Sequence, residues 1–138
     1  MGALGKTWSI VSPGVSFKPY PCGSLSHPSM DAMLKVVVDN DLKPEQIKAV
    51  RLRAGRNILD PLRYTVVKTE LEAKFSVPFL MSAIILRRRA GIREFTDEFV
   101  SSPEGQRMLP KVTGVRDEAI ERMGFDKIRS TVEVDLMD

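Results

Sequence analysis

Cysteine occurs once, as Cys22, and histidine once, as His27. A lone cysteine excludes an internal disulfide framework and a zinc site built on several thiolates. A lone histidine excludes a His-rich metal centre. Long hydrophobic runs are missing as well. The longest, Val77 to Leu86, is broken by Pro78 and Ser82 and falls far short of the roughly 18 residues that span a bilayer. Met1 to Ser12 lacks the apolar stretch of a signal peptide. The expectation is a cytoplasmic protein with no membrane partner. Charge of one sign is scarce too: 21 Lys and Arg stand against 18 Asp and Glu, a net charge of +3. That balance excludes a histone-like polycation. Its slight basic excess suits a small anion as well as it suits nucleic acid.

What remains is ordinary globular composition, 43% hydrophobic and 28% charged over 138 residues. That is the size of one α+β or similar domain, and disorder is not expected. No internal repeat or low-complexity tract interrupts it. Lys6 to Val11 reads as a short strand with Trp8 and Ile10 on one face. From Ser12 to Ser26 the chain is rich in Pro, Gly and Ser, too many breakers for regular structure. So long a connector is often functional.

Pro28 suits the first turn of a helix starting near His27. Met30, Met33, Leu34, Val37 and Val38 then follow helical spacing up to Asn40 and Asp41. Asp31 and Lys35 are spaced as an i, i+4 ion pair. Ile47 to Ala54 reads as a strand, with Val50 and Leu52 on one face and Arg51 and Arg53 on the other. Thr69 to Lys74 has the pattern of a helical turn. Pro78 opens a helix to Arg89, stopped by Gly91 and apolar almost all round, which predicts the buried central helix. Being apolar on so many sides, it also predicts an exposed apolar surface and self-association. A helix over Arg93 to Val100 pairs Phe95 with Phe99. Another starts at Pro103, capped by Ser102. Ile128 to Met137 alternates as a half-buried strand. The expected fold is α+β, two layers, with a small antiparallel sheet and helices on one face. Ending on a strand, the chain reads as one domain, 1–138, of a longer protein.

Chemistry concentrates in Lys18-Pro19-Tyr20-Pro21-Cys22-Gly23-Ser24-Leu25-Ser26-His27. This loop carries an ammonium, a phenol, a thiol, two hydroxyls and an imidazole. It runs into a helix N-terminus, where free N–H groups and the helix dipole favour a carboxylate or phosphate. An imidazole there can take or give a proton near neutral pH. The plainer readings are a capping or hydrogen-bonded His27, a solvated Lys18 and a Cys22 that only fills space. A second constellation is Lys74-Phe75-Ser76-Val77-Pro78-Phe79. Ser76 sits at a helix start, where it could cap the helix or bind an anion. Arg87, Arg88 and Arg89 complement a helix C-terminus. They lack the interleaved aromatics of a nucleic-acid surface.

The order Trp8, Gly14, Lys18-Pro19-Tyr20-Pro21-Cys22, His27-Pro28, Asp31-Ala32, then Leu42-Lys43-Pro44-Glu45-Gln46-Ile47, then Glu72-Ala73-Lys74-Phe75-Ser76-Val77-Pro78-Phe79, resembles the C-terminal region of the MmgE/PrpD family. The likeness runs from about Lys6 to Met137, and Phe99 and Lys111-Val112 also fit it. The family includes 2-methylcitrate dehydratase, cis-aconitate decarboxylase and iminodisuccinate epimerase. The resemblance implies a lid-type α+β domain that closes a cleft against a large helical domain. It implies small di- or tricarboxylic substrates, proton abstraction next to a carboxylate, no cofactor and no metal. It points to His27 and Lys18 as catalytic, and to Lys18, Ser24, Ser26, Lys74 and Ser76 as substrate-binding. The partners it implies are that helical domain and a second copy in a homodimer. Some relatives carry a tyrosine at the position of Phe79 and a further histidine near Gly23, so dehydratase, epimerase and another substrate all stay open. The alternative reading is a non-enzymatic basic module for an anion or nucleic acid.

Overall fold

The computed structural model describes residues 5, 6 and 8–137. Its helices are α1 (His27–Asp39), α2 (Arg56–Leu59), α3 (Glu70–Ala73), α4 (Val77–Arg87), α5 (Asp97–Ser101), α6 (Pro103–Met108) and α7 (Glu118–Glu121). Three strands, β1 (Ile47–Ala54), β2 (Val112–Arg116) and β3 (Ser130–Leu136), form one sheet in the order β2-β1-β3. The fold is α+β. β1 and β3 pair antiparallel, as expected, with Val50 opposite Val134 and Leu52 opposite Val132. β2 lies parallel to β1, so the sheet is mixed. Thr113, Gly114, Val115 and Arg116 of β2 are exposed. The strand therefore shows little of the alternation that marks a half-buried strand in a sequence.

α4 is the buried central helix. Every residue from Val77 to Ile85 is buried, packed on α1, β2 and α6 and on a trio of rings. Phe95 and Phe99 both meet Phe79 edge-on, at 5.2 and 6.0 Å between centroids, a favoured aromatic geometry. The chain thus covers this helix itself, and the apolar surface expected there is absent. Exposed large apolar side chains lie elsewhere, among them Trp8, Ile10, Val11, Val15 and Phe17 before the domain proper, Leu71 and Phe75 before α4, and Met123, Phe125 and Ile128 before β3.

Several other details depart from the sequence reading. Lys6 and residues 8–11 form turns rather than a strand, with Val11 and Ser12 N–H groups both donating to Trp8 O; Thr7, Met1 to Leu4 and Asp138 lie outside the described residues. α4 ends at Arg87 because Arg88 turns left-handed, φ 53°; its side chain offsets that cost by bonding Asp41 and Leu42 O. The helix expected over Arg93 to Val100 starts later, at Asp97, where the Thr96 hydroxyl caps Phe99 N–H at 3.2 Å. Lys35 pairs with Asp39, not Asp31, because Asp31 is taken by Tyr20.

Three contacts fix the direction of the two long helices. Ser29, in the first turn of α1, meets Ser130 at 2.8 Å between hydroxyls, and Ser130 pairs with Ala54 at the end of β1. Arg88 ties the end of α4 to Asp41 and Leu42, just past the end of α1. At the start of α4, Val77 lies against Gly114, where an added Cβ would come within 3.5 Å of Val77 Cγ2. Gly114 is opposite Leu52, near the end of β1. α1 and α4 therefore run the same way. Both N-termini sit at the end of the sheet where the parallel strands β1 and β2 finish, the end at which open α/β sheets gather ligands.

Candidate functional site

The loop before α1 is built from its own prolines and carbonyls. Lys18 Nζ reaches back to Cys22 O at 3.2 Å, so the ammonium lies across the turn while remaining exposed. The Ser26 hydroxyl donates to Gly23 O at 2.7 Å and closes the short 3-10 turn Ser24–Ser26. Ser26 occupies the N-cap position of α1 but makes no capping bond, and its backbone is already helical. His27 N–H donates to Ser24 O and Pro28 has no N–H, so the start of α1 is closed by the turn before it rather than by a side chain. Ser24 is exposed at the same turn.

His27 opens α1 with its ring 9% exposed. Its Nε2 is buried and has no hydrogen-bond partner. Among the described residues only one other buried side-chain polar atom shares that state, Ser82 Oγ, in the middle of α4. The hydroxyls flanking His27 are committed elsewhere: Ser26 to Gly23, Ser29 to Ser130. Leaving a buried donor or acceptor unpaired costs about 1–3 kcal/mol, so such an atom calls for a partner. Cys22 is buried, its thiol against Ser26 Oγ and Met30 Sδ at 3.6 and 3.5 Å. Burial pushes that thiol up from its ordinary value, and the Ser26 contact and the Lys18 charge only partly oppose it. The space-filling reading of Cys22 fits this surrounding.

Tyr20, to which the sequence reading assigned no role, is the neighbour that packs on His27. Its ring packs edge-on against His27, centroids 5.3 Å apart, and its hydroxyl donates to Asp31 Oδ1 at 2.6 Å. Burial, then the Asp31 bond, pushes the phenol up. The available signal was the spacing of His27 and Asp31, one helical turn apart on one face.

The second constellation is arranged differently. Ser76 is fully buried, and its hydroxyl accepts from Phe79 N–H at 3.2 Å, a true N-cap for α4. Lys74 faces Glu70 across one turn at 3.7 Å. A cleft of about 460 Å³ opens beside this helix start, lined mainly by Leu59, Leu62, Val77, Pro78, Leu109 and Val112. It is mostly apolar, with Arg63, Thr65 and Thr113 also on its wall, and holds neither Lys74 nor Ser76. A shallower cleft of about 390 Å³ lies by Pro28, with Ile128, Arg129 and Ser130 on its wall. No hydrogen bond joins His27 or Lys18 to Lys74 or Ser76 among the described residues, although both helix starts lie at one end of the sheet. Among the described residues no three His, Cys, Asp or Glu side chains gather as a metal site, and no helix is long and apolar enough to cross a membrane.

Fold and site together define a class: a small α+β domain with one capped helix start and one uncapped, histidine-bearing helix start at the same end of its sheet. Residues 20–138 match the MmgE/PrpD C-terminal domain, and the chain belongs to the MmgE/PrpD family. A search of curated proteins returned no match to the chain.

Proposed function

We propose that this chain is the substrate-cleft domain of a cofactor-independent lyase or isomerase acting on small di- or tricarboxylic acids. The observation that carries the reading is His27 Nε2, buried and unpartnered at an uncapped helix start, beside the Lys18 loop, in a chain of this family. Lys18 binds one substrate carboxylate, with the positive end of the α1 dipole beside it. Neutralising that charge makes the neighbouring C–H easier to ionise. His27 Nε2 takes the proton or returns it. In an elimination, hydroxide leaves from the next carbon with a proton, as water; in an epimerisation, a proton returns on the other face. Ser24 is exposed for a further hydrogen bond. Ser26 and Ser76 serve by holding the loop and the α4 start in place, and Lys74 lies one turn from Glu70.

The resemblance implies that a helical domain forms the other wall and supplies the remaining acid or base. Orientation between two walls is worth roughly 7–11 kcal/mol of barrier, so the 138-residue chain alone is expected to be inactive. The test is proton exchange: the full-length gene product is incubated with citrate-like acids in D₂O and followed by NMR. Exchange at a carbon next to a carboxylate, lost in His27→Ala, supports the reading. No exchange with any polycarboxylate, together with nucleic-acid binding that falls steeply with salt, overturns it in favour of a binding module.

A further inference from the structure

We infer that Tyr20 is a positioning residue for His27, a strut that holds the imidazole in the orientation in which Nε2 is buried without a partner in the described chain. The inference rests on the reading of His27 as the proton-transfer group and deepens it. Tyr20 touches α1 at two places one turn apart. Its ring stands edge-on to the His27 ring, at an interplanar angle of 75°. Its hydroxyl is anchored 2.6 Å from Asp31 Oδ1. His27 and Asp31 share one face of α1 at i, i+4, so a single phenol spans both. The ring itself is locked from behind. Pro19 and Pro21 flank Tyr20 and restrict the loop backbone, and Tyr20 is 8% exposed.

A strut is needed because the His27 side chain makes no hydrogen bond among the described residues. A histidine that serves as an acid or base is usually oriented by a bond from its second nitrogen to a carboxylate or carbonyl. Here the carboxylate, Asp31, takes the tyrosine instead. An imidazole with an unpaired buried nitrogen gains by rotating toward solvent or toward a nearby hydroxyl. The nearby hydroxyls are engaged, and the Tyr20 edge occupies the space on one side of the ring. Orientation is thus enforced by packing on an anchored phenol. The arrangement leaves both lone-pair and N–H chemistry at Nε2 uncommitted until a ligand arrives.

The lone histidine makes the test direct, since every histidine ring signal of the 138-residue chain comes from His27. The Hα–Hβ couplings of His27 are measured by NMR without ligand. One fixed rotamer gives one large and one small coupling; free rotation gives two intermediate ones. Native chain and Asp31→Asn, whose amide oxygen still accepts from the phenol, are expected to show the fixed pattern. Asp31→Ala and Tyr20→Phe are expected to average it partly, and Tyr20→Leu fully, with loss of the ring-current shift on His27. Asp31 is exposed, so Asp31→Ala keeps the fold even if the tyrosine variants do not. In the full-length gene product the same variants are expected to lower kcat by up to about 100-fold, the effect of misplacing a reacting group by an ångström, with KM nearly unchanged and activity rescued in Asp31→Asn. Native-like couplings in both Asp31→Ala and Tyr20→Phe would overturn the strut. Failure of the catalytic reading is distinguishable, because it shows as His27→Ala without effect on turnover while the coupling pattern still follows Tyr20.

Discussion

The two long helices start at the same end of the sheet and start in opposite ways. α4 is sealed. Ser76 is in extended conformation, its hydroxyl receives Phe79 N–H, and Val77, Pro78 and Phe79 are buried behind it. α1 is open. Ser26 holds the same position in the chain pattern, a serine just before a helix with proline in its first turn, yet its hydroxyl turns back to Gly23 and caps nothing. The difference follows from what precedes each helix. Before α4 the turn that continues α3 ends at Phe75, and Ser76 is extended and bridged to Arg63, with Tyr64 N–H on Phe75 O, so the serine can fold over the first turn. Before α1 it is already a 3-10 turn, and a serine in helical conformation cannot cap. One helix start is capped by a side chain; the other is closed only by the turn before it and holds an unpaired imidazole.

The comparison predicts that substitutions at α1 damage function and substitutions at α4 damage stability. The largest effect is expected for His27→Ala. In the full-length gene product it should lower kcat by roughly 10²–10⁴-fold, while the melting curve of the chain falls only by the packing of one buried ring on Tyr20, since no capping bond is lost. A His27→Ala protein with normal turnover and a depressed melting temperature would reverse the roles of the two ends. Next is Lys18→Ala. A charged hydrogen bond to a carboxylate is worth roughly 1.5–3 kcal/mol, so kcat/KM should fall by about tenfold to a hundredfold. Among the described residues Lys18 bonds only Cys22 O, so stability should barely change. Steady-state kinetics on polycarboxylates beside thermal melts of the same variants check both.

Much of this was legible in the residues, and the gaps have physical causes. The buried character of α4, the amphipathic α1 and the two faces of β1 follow from periodicity, which burial enforces. The strength of the loop as a candidate came from its residue types and its place before a helix. What periodicity could not show is whether a serine at a helix start caps it. Ser26 and Ser76 look alike in sequence; their backbone angles differ because of the turn or bridge before them. β2 was missed because an edge strand with a glycine and four exposed residues has no face pattern to read. The Lys6 to Val11 strand was expected from a pattern of apolar residues that, in the fold, find no strand to pair with. Tyr20 escaped because its role is defined by two contacts across 7 and 11 residues, His27 and Asp31, and neither is a local pattern.

The sealed end supplies the third prediction. Ser76→Ala removes the α4 cap from a fully buried site and should cost about 0.5–2 kcal/mol, seen as a lower denaturation midpoint. Carboxylate binding at the α1 start, followed through the His27 ring signals, should be unchanged. Together with Lys18→Ala this forms a crossed pair: one variant loses binding and keeps stability, the other the reverse. If Ser76→Ala lost carboxylate binding at native stability, the α4 start would be part of the site and the contrast between the two ends would break.

The smallest effect is expected from acid, and it should reach one helix start before the other. On the outer face of the sheet Arg51 binds Asp135 through two nitrogens at 2.7 and 2.9 Å and Glu133 at 3.0 Å, and Arg53 binds Glu133 at 3.1 Å and Asp117 at 2.6 Å. Arg51 holds the Asp135 carboxyl below its ordinary value; Arg53 and then Arg51 do so for Glu133. For Asp117 the backbone N–H of Ile120 is the main cause. Carboxylates lowered in the folded state stabilise it above the usual carboxylate range. That contribution fades as pH falls through about 4 and on toward the lowered values. Exposed pairs are individually weak, so denaturation midpoints should drop only slightly from neutral pH to pH 5, and more below it. β3 is what these pairs hold, and Ser130 at its start holds Ser29 in the first turn of α1. Backbone amides of that first turn should therefore exchange faster in acid together with β3, while the capped first turn of α4 stays protected. Equal protection loss at both helix starts would mean that acid acts on the whole domain, and that the open end is no looser than the sealed one.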